Sequence, residues 1–397
     1  MKPDGRIRVM EIIARMNVGG PATQVSGLSE GLDQEEFDHR LYTGHVGAGE
    51  GDHLDLKGPA VRVHPIPGLG RSIRPSDDYL ALLRLTAAMR AFQPHVVHTR
   101  TTKAGTLGRM AACLSRVSAA RIHVFHGHLL NGYFTRPKRA LYVRSERILA
   151  SMTDRLVTVG SQVRDELLEA RIGRPEQYVV IAPGVRLGPV PERGAARAEL
   201  GLPPDAPVVA YVGRLTQVKR PDRFVATARA VLRQVPGCHF VVCGGGELRE
   251  QIERDIDPIR HSFHLLGWRK DVETVYSAAD VVLLTSDNEG TPLTLVEAGM
   301  AGTPAVSTRV GSVAEIVQDG RTGLLAGADA DELAGQVVRL LSDPDLARRM
   351  GEAACRWTTT SFNVERLVAD TEALYRSLGT AHRDRGATQP TTGGMDR

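Results

Sequence analysis

Two glutamates flank a break in regular structure. In SDNEGTPLTLVEAGMAGTP, residues 286–304, Glu289 and Glu297 stand eight positions apart around Gly290-Thr291-Pro292. The run just before them, DVVLLTS (280–286), has the β-branched, apolar character of a buried strand. Thr291 is a good N-cap and Pro292 suits a first helical position, so a helix is expected over residues 292–301, stopping at Gly302. Its N-terminus would lie at the C-terminal edge of a sheet, where free N–H groups and the positive helix end suit a phosphate or a sugar hydroxyl. Glu289 in the loop and Glu297 nearly two turns inside the helix can then face different parts of one elongated ligand.

A pair of cations forms the second element. In YVGRLTQVKRPD (211–222), Arg214 leaves an expected strand end and Lys219 follows five residues later, before the next helix. An arginine fork and a lysine point charge at one strand end make a diphosphate clamp. In MNVGGPATQ (16–24), Gly19 and Gly20 let a ligand approach the backbone ahead of a helix. Neither this loop nor CGGGELRE (243–250) has the G-x-G-x-x-G spacing of a dinucleotide fingerprint, which weighs against an NAD-dependent oxidoreductase.

The histidines carry less. RIHVFHGHLLNGY (121–133) contains His123, His126 and His128, but strand alternation sets His126 opposite His123 and further zinc ligands are missing. His95 and His98 flank an apolar pair and read as structural, with His98 near the same sheet edge. Lys103, at the start of the following helix, is a candidate for an acceptor phosphate. D-x-D strings at 255–257, 329–331 and 343–345 fall in or beside expected surface helices and read as solvated charge, so no metal and no cofactor is expected.

Elements must hold these residues in place. At 397 residues two domains are the default. Strand-like runs at 6–14, 94–100, 121–126, 154–161 and 178–185 alternate with helical patterns, and after a Pro/Gly-rich linker at 184–207 the alternation restarts. This order describes an α/β protein with parallel sheets in two Rossmann-like halves. The near-balance of 50 basic and 46 acidic residues argues against a general nucleic-acid binder. Four cysteines without a C-x-x-C pair fit reduced thiols, and no apolar run nears the ~18 residues that span a bilayer. A cytoplasmic protein is expected. In FTRPKRALYVRSERIL (134–149), five basic residues face one acid, Glu146; such a helix is a solvated face or lies peripherally on the anionic inner face of a membrane.

Together these motifs resemble the retaining family-4 glycosyltransferases of the GT-B fold, up to about Leu378. The Gly-Gly-Pro loop at 19–21, G-R-L-x-x-x-K at 213–219, GWRKDV at 267–272 and E-G-x-P-x4-E at 289–297 carry the resemblance, which continues to Val317. It implies two domains across a cleft: 1–188 on the acceptor side, 189–361 for the nucleotide sugar, and a helix at 362–379 crossing back to the first; the polar, Gly/Pro-rich tail at 380–397 is expected from its composition to be disordered. It further implies that Arg214 and Lys219 hold the donor diphosphate, Glu297 the ribose, and Glu289 the transferred sugar together with the amides that follow. Thr291, Pro292, Leu293, Thr294, Gly267 and Trp268 would complete the donor pocket. Gly19 and Gly20 would cover the diphosphate, and His126 would touch the donor sugar.

The implied reaction moves a hexosyl unit from a nucleoside-diphosphate sugar, with UDP, GDP and ADP all open as the nucleotide, to a hydroxyl of a sugar or lipid-linked acceptor. Attack on the face of the departing diphosphate retains configuration; a covalent intermediate on Glu289 stays open. One departure is that the family's usual N-G-V-D reads PGVR at 183–186, so that aspartate is absent. A GT-B sugar-nucleotide epimerase and a non-catalytic nucleotide-sugar binder are the rival readings beside the oxidoreductase.

Overall fold

The β-branched runs of each half pair into a parallel sheet. A computed structural model describes residues 5–47, 51–57, 63–70, 72–127 and 136–387. In the first half β1 (Ile7–Arg15), β2 (Phe37–Gly44), β3 (Val63–Pro65), β4 (Val96–Arg100), β5 (Ala120–Phe125), β6 (Arg155–Thr158) and β7 (Tyr178–Val180) take the order β3-β2-β1-β4-β5-β6-β7. In the second, β8 (Val208–Val212), β9 (His239–Cys243), β10 (Phe263–Gly267), β11 (Val281–Leu284), β12 (Ala305–Thr308) and β13 (Gly323–Ala326) take the order β10-β9-β8-β11-β12-β13.

Helices cover both sheets. The first carries α1 (Gly20–Gly31), α2 (His53–Lys57), α3 (Pro75–Phe92), α4 (Thr102–Ser115), α5 (Arg136–Ser151) and α6 (Ser161–Glu169). The second carries α7 (Arg193–Glu199), α8 (Pro221–Leu232), α9 (Arg249–Asp255), α10 (Val272–Ala278), α11 (Leu293–Met300), α12 (Val313–Ile316), α13 (Ala330–Ser342) and α14 (Pro344–Ser361). Successive strand residues then enter different cores. Val208 and Ala210 of β8 pack with Tyr276 and Val296, whereas Val209 and Tyr211 pack with Phe224 and Val231 on the opposite face. This is the expected α/β architecture of two Rossmann-like sheets. The strand order reverses beside β1 and again beside β8, and ligands of such sheets bind outside the carboxyl ends at that reversal.

A final helix, α15 (Val364–Ala387), leaves the second half and packs on the first. Its Val364, Leu367, Leu374 and Tyr375 join the core that contains Leu28, Phe37 and Val124. Two glycines of α1 admit it: a Cβ at Gly27 would lie 2.7 Å from Val364, and one at Gly31 2.5 Å from Val368. Each apolar side chain buried this way contributes roughly 1.5–3 kcal/mol. The outgoing linker runs beside the returning chain, with Val185 N donating to Phe362 O at 2.9 Å. Arg186, where the family has its aspartate, pairs instead with Glu365 of α15 at 2.6 Å.

Two features differ from expectation. The last helix runs on to Ala387, so residues 380–387 are helical rather than disordered; residues 388–397, like His128, lie outside the described residues. Between residues 37 and 92 the chain also supplies β2, β3 and the long helix α3, none of which the apolar pattern announced. The strand β2 reads FDHRLYTG, with partly exposed Asp38 and Arg40, because it lies near the open edge of the sheet. The D-x-D acids have local duties: Asp329 accepts two N–H groups at the start of α13, and Asp343 caps α14 through Leu346 N.

Candidate active site

Three loops meet where the second sheet reverses. The loop after β8 is held to its neighbours by backbone bonds, Gly213 N to Cys243 O and Leu215 N to Gly245 O, both 2.9 Å. Glycine is required on the facing loop, since a Cβ at Gly244 would fall 2.0 Å from Gly213 O. This packing fixes the carbonyl and amide track on which exposed Arg214 stands. Trp268, following Gly267 at the end of β10, flanks the same loop, and a Cβ at Gly245 would lie 2.8 Å from its indole nitrogen.

Lys219 reaches the opposite loop. Its Nζ lies 2.6 Å from Glu289 Oε1, joining motifs seventy residues apart in sequence. Ser286 Oγ donates to the same oxygen at 2.5 Å. The backbone beneath is fastened as well: Thr285 Oγ1 donates to the carbonyls of Lys219 and Arg220, and Asp287 N donates to Val218 O at 2.9 Å. The Glu289 side chain is only 8% exposed and Lys219 19%, so this pair is shielded from bulk screening far more than a surface salt bridge.

Glu297 occupies the far end. Tyr276 of α10 donates to Glu297 Oε2 at 2.7 Å, and Thr294 Oγ1 ties α11, which carries Glu297, to Val212 O at the end of β8. Burial, then the neighbouring Glu297 carboxylate, pushes the Tyr276 phenol well above its usual value, so it remains a donor. Glu297 thus has a fixed rotamer on a helix whose opposite face is core.

Thr291 behaves differently from expectation. The helix α11 begins at Leu293, with Pro292 in the cap position and no side-chain cap. Pro292 keeps an extended backbone (ψ 110°), which delays the helix and leaves Thr291 too early to cap it. Its hydroxyl instead donates 2.8 Å to Val159 O, at the end of β6 in the other domain. Glu315 of α12 makes a second such contact. It accepts from Ser161 N, Ser161 Oγ and Gln162 N at 3.0–3.2 Å and so caps α6 from across the cleft.

From the first domain, Gly19 and Gly20 open α1 and lie against the first turn of α11, with a Cβ at Gly20 3.6 Å from the Leu293 side chain. Two helix N-termini therefore converge at one point, an electropositive setting for an anion. His126 and Gly127 follow β5 and meet Gly290 through backbone. His126 is half-buried, its Nε2 3.4 Å from Arg100 Nη1. Burial, then the Arg100 charge, holds the imidazole well below its ordinary range, and it is neutral at pH 7.

Arg100 and Glu11 escaped the sequence reading. Glu11, in the middle of β1, is fully buried and bonds Arg100, with His39 Nε2 2.8 Å away on its other oxygen. Burial alone would raise this carboxyl, but Arg100, His39 and His98 together hold it well below the usual carboxylate range. His98 in turn meets Tyr375 of α15 at 2.5 Å. A polar chain thus links the crossover helix to His126. The available signal was a lone glutamate within VMEII, a charge that must be paired if buried. Lys103 lies away from the loops that carry Arg214, Lys219 and Glu289 and is occupied by Asp78 at 2.5 Å and Ser72 O at 2.6 Å. Among the described residues no cluster of histidine, cysteine or carboxylate side chains could hold a metal ion.

Comparison with known proteins agrees with this architecture. Residues 192–357 match the family "Glycosyl transferases group 1", and residues 19–184 match "Glycosyl transferase 4-like domain". The chain is 28% identical over 354 residues to the Escherichia coli UDP-Gal:alpha-D-GlcNAc-diphosphoundecaprenol alpha-1,3-galactosyltransferase, covering 87% of this chain and 90% of that one. It is 29% identical over 321 residues to the D-inositol 3-phosphate glycosyltransferase of Segniliparus rotundus, covering 74% and 71%. Sucrose-phosphate synthase from Thermosynechococcus elongatus superimposes with a TM-score of 0.82 at 23% identity, over 95% of this chain and all of that one. Anabaena HepE in complex with UDP-glucose superimposes with a TM-score of 0.78 at 17% identity, over 94% and 100%. Both halves match this family's domains and their arrangement is that of the GT-B fold, so the protein belongs to the family-4 glycosyltransferases and is a transferase.

Proposed function

We propose that the protein transfers a hexosyl unit from a UDP-sugar to a hydroxyl of a lipid-linked glycan precursor, with retention and without a metal. The observation that carries this reading is the Lys219–Glu289 pair, seated beside the point where the N-termini of α1 and α11 meet. An incoming diphosphate would take Lys219 and Arg214 as counter-charges, and Glu289, released from Lys219, would accept from the sugar hydroxyls. Glu297 would accept from the ribose, and neutral His126 would face the sugar from the other domain.

The acceptor hydroxyl attacks the anomeric carbon on the face the diphosphate leaves. The bond from that carbon to the β-phosphate oxygen breaks, its electron pair stays on the diphosphate, and that phosphate takes the acceptor proton. Preorganised cations and helix ends stabilise the departing charge, and fixed dipoles and charges of this kind usually lower the barrier more than any other effect. UDP and a lipid-linked acceptor are supported by the Escherichia coli relative, whose name carries both.

The test is to incubate the protein with UDP-sugars and GDP-mannose, each with and without a polyprenyl-diphosphate-sugar and with or without EDTA. Acceptor-dependent UDP release, unchanged by EDTA, with an α-linked product by NMR is expected. Inversion at the anomeric carbon, release only from a GDP-sugar, or loss on chelation would refute the corresponding part. Donor rearrangement without acceptor would instead identify an epimerase.

A further inference from the structure

Charge along this chain is far from even. Residues 72–151 contain thirteen Lys and Arg but only three Asp and Glu, a net +10, whereas the whole chain is +4; the remainder is therefore net −6. Of the three acids only Asp77 keeps a side chain as much as 41% exposed. Glu146 is buried against Arg109, while Asp77 and Asp78 are half-buried beside Arg74 and Lys103. The surface of this segment is thus strongly basic, with Asp77 its most exposed acid.

The same segment carries the exposed apolar side chains. Of the eleven large apolar side chains exposed among the described residues, eight lie between residues 73 and 148. They include Leu80 and Leu83 of α3, Leu114 of α4, and Leu141 and Ile148 of α5, the last two 70% and 56% exposed. On α5 these two stand seven residues apart with Arg144 between them, one helical face of alternating apolar and basic character.

These helices form one surface. The crossovers β3 to β4, β4 to β5 and β5 to β6 all advance in one direction across the sheet, so right-handed connections place α3, α4 and α5 on one side. Ala81 and Leu85 of α3 share a core with Ala104 and Leu107 of α4, and the Arg109–Glu146 bridge at 2.9 Å joins α4 to α5. Since α4 and α5 follow β4 and β5, whose ends carry Arg100 and His126, the surface extends to the rim of the cleft.

We infer that the outer face of α3, α4 and α5 is a docking surface for an anionic lipid bilayer. Basic side chains meet anionic headgroups, and leucine and isoleucine between them enter the acyl boundary. A nucleic acid would use the charge but leave the apolar side chains without a partner. A two-fold contact with a second copy would set like charges against each other. Among the described residues no helix is long and apolar enough to cross a membrane, so the contact is peripheral. The inference is independent of which sugar or acceptor the cleft takes.

Co-sedimentation of the intact protein with phosphatidylcholine vesicles, with and without phosphatidylglycerol, tests it. Salt-sensitive binding only to the anionic vesicles is expected. The triple variant K138E/R139E/R144E should weaken it by more than a hundredfold, at about fivefold per basic residue removed. L83Q and L114Q, on the other two helices, should each weaken it several-fold. All these side chains are exposed, and an unchanged UDP-induced thermal shift confirms that each variant is folded and that its donor site is intact. Equal binding to neutral vesicles, or wild-type binding by the triple variant, would overturn the proposal. So would losses confined to α5, tighter binding to duplex DNA, or a self-associated species that the triple variant abolishes.

Discussion

Gly290 and His126 touch across the cleft through backbone alone: a Cβ built at Gly290 lies 2.2 Å from the His126 carbonyl oxygen. The residue after Glu289 is thereby packed against the residue that carries the opposing imidazole. Gly290→Ala would force the domains apart by an ångström or so, and misplacement on that scale lowers kcat/KM by about a hundredfold. Circular dichroism and thermal melting should stay near wild type, because each core is untouched. Full activity in this variant would show that turnover does not use the closed contact.

Lys219 and Glu289 should behave as one unit. Lys219→Ala removes a preorganised cation and should lower kcat by roughly 10²–10³-fold. Glu289→Gln should lower it as well, and the double variant should lose far less than the two losses combined. Steady-state kinetics on the four proteins measure the coupling; strict additivity would mean that the ion pair has no part in the reaction.

Tyr276 holds Glu297 from within the second domain. Tyr276→Phe keeps the ring and deletes one donor to a carboxylate, a bond worth about 1.5–3 kcal/mol. The expected result is a lower melting temperature and a raised KM for the donor with kcat little changed. A fall in kcat at constant KM would place Glu297 at the reacting sugar rather than at the ribose.

Acid should destabilise the first domain early. Burial, then the Arg100 charge, holds His98 down to about 3, and burial keeps His123 and His126 well below 6.5. Each folded value lies below the unfolded one, so the unfolded chain takes up protons that the native chain refuses. At higher pH these groups add no slope. Below ~6.5 stability falls by up to ~1.4 kcal/mol per pH unit per histidine, and for His98 this continues until pH nears its folded value. Glu11, whose folded value is lowered, adds stability above its unfolded value that is lost further into acid. Urea titrations from about pH 7.5 to 5 should show this slope, shallower by about one proton in His98→Gln. A flat profile would mean that these imidazoles are not buried neutral.

Some of this is written locally in the chain. Gly-Thr-Pro after an apolar run dictates a strand end and a helix start, because proline and the following apolar periodicity act within a few residues. Arg214, Lys219, Glu289 and Glu297 could be picked out because strand–loop–helix alternation places loop residues at one sheet edge whatever their partners. The alternation itself determined two parallel-sheet halves. It missed the edge strand β3 and its neighbour β2, because positions at and next to the sheet edge relax the demand for apolar side chains.

Other relationships exist only once distant segments meet. Thr291 satisfies every local rule for a cap, yet its hydroxyl bonds Val159 in the other domain, since tertiary contact offered a carbonyl that local geometry did not. Glu315 caps a helix some 150 residues away, and Glu11 reads as an oddity until Arg100, His39 and His98 surround it. The acids at 78 and 146 look like ordinary surface charge in sequence; folding covers them against Lys103 and Arg109 and leaves three adjacent helices basic and apolar. Sequence periodicity dictates which face of a helix is buried. Only packing decides what lies opposite each buried charge, because that partner comes from a part of the chain no local rule connects to it.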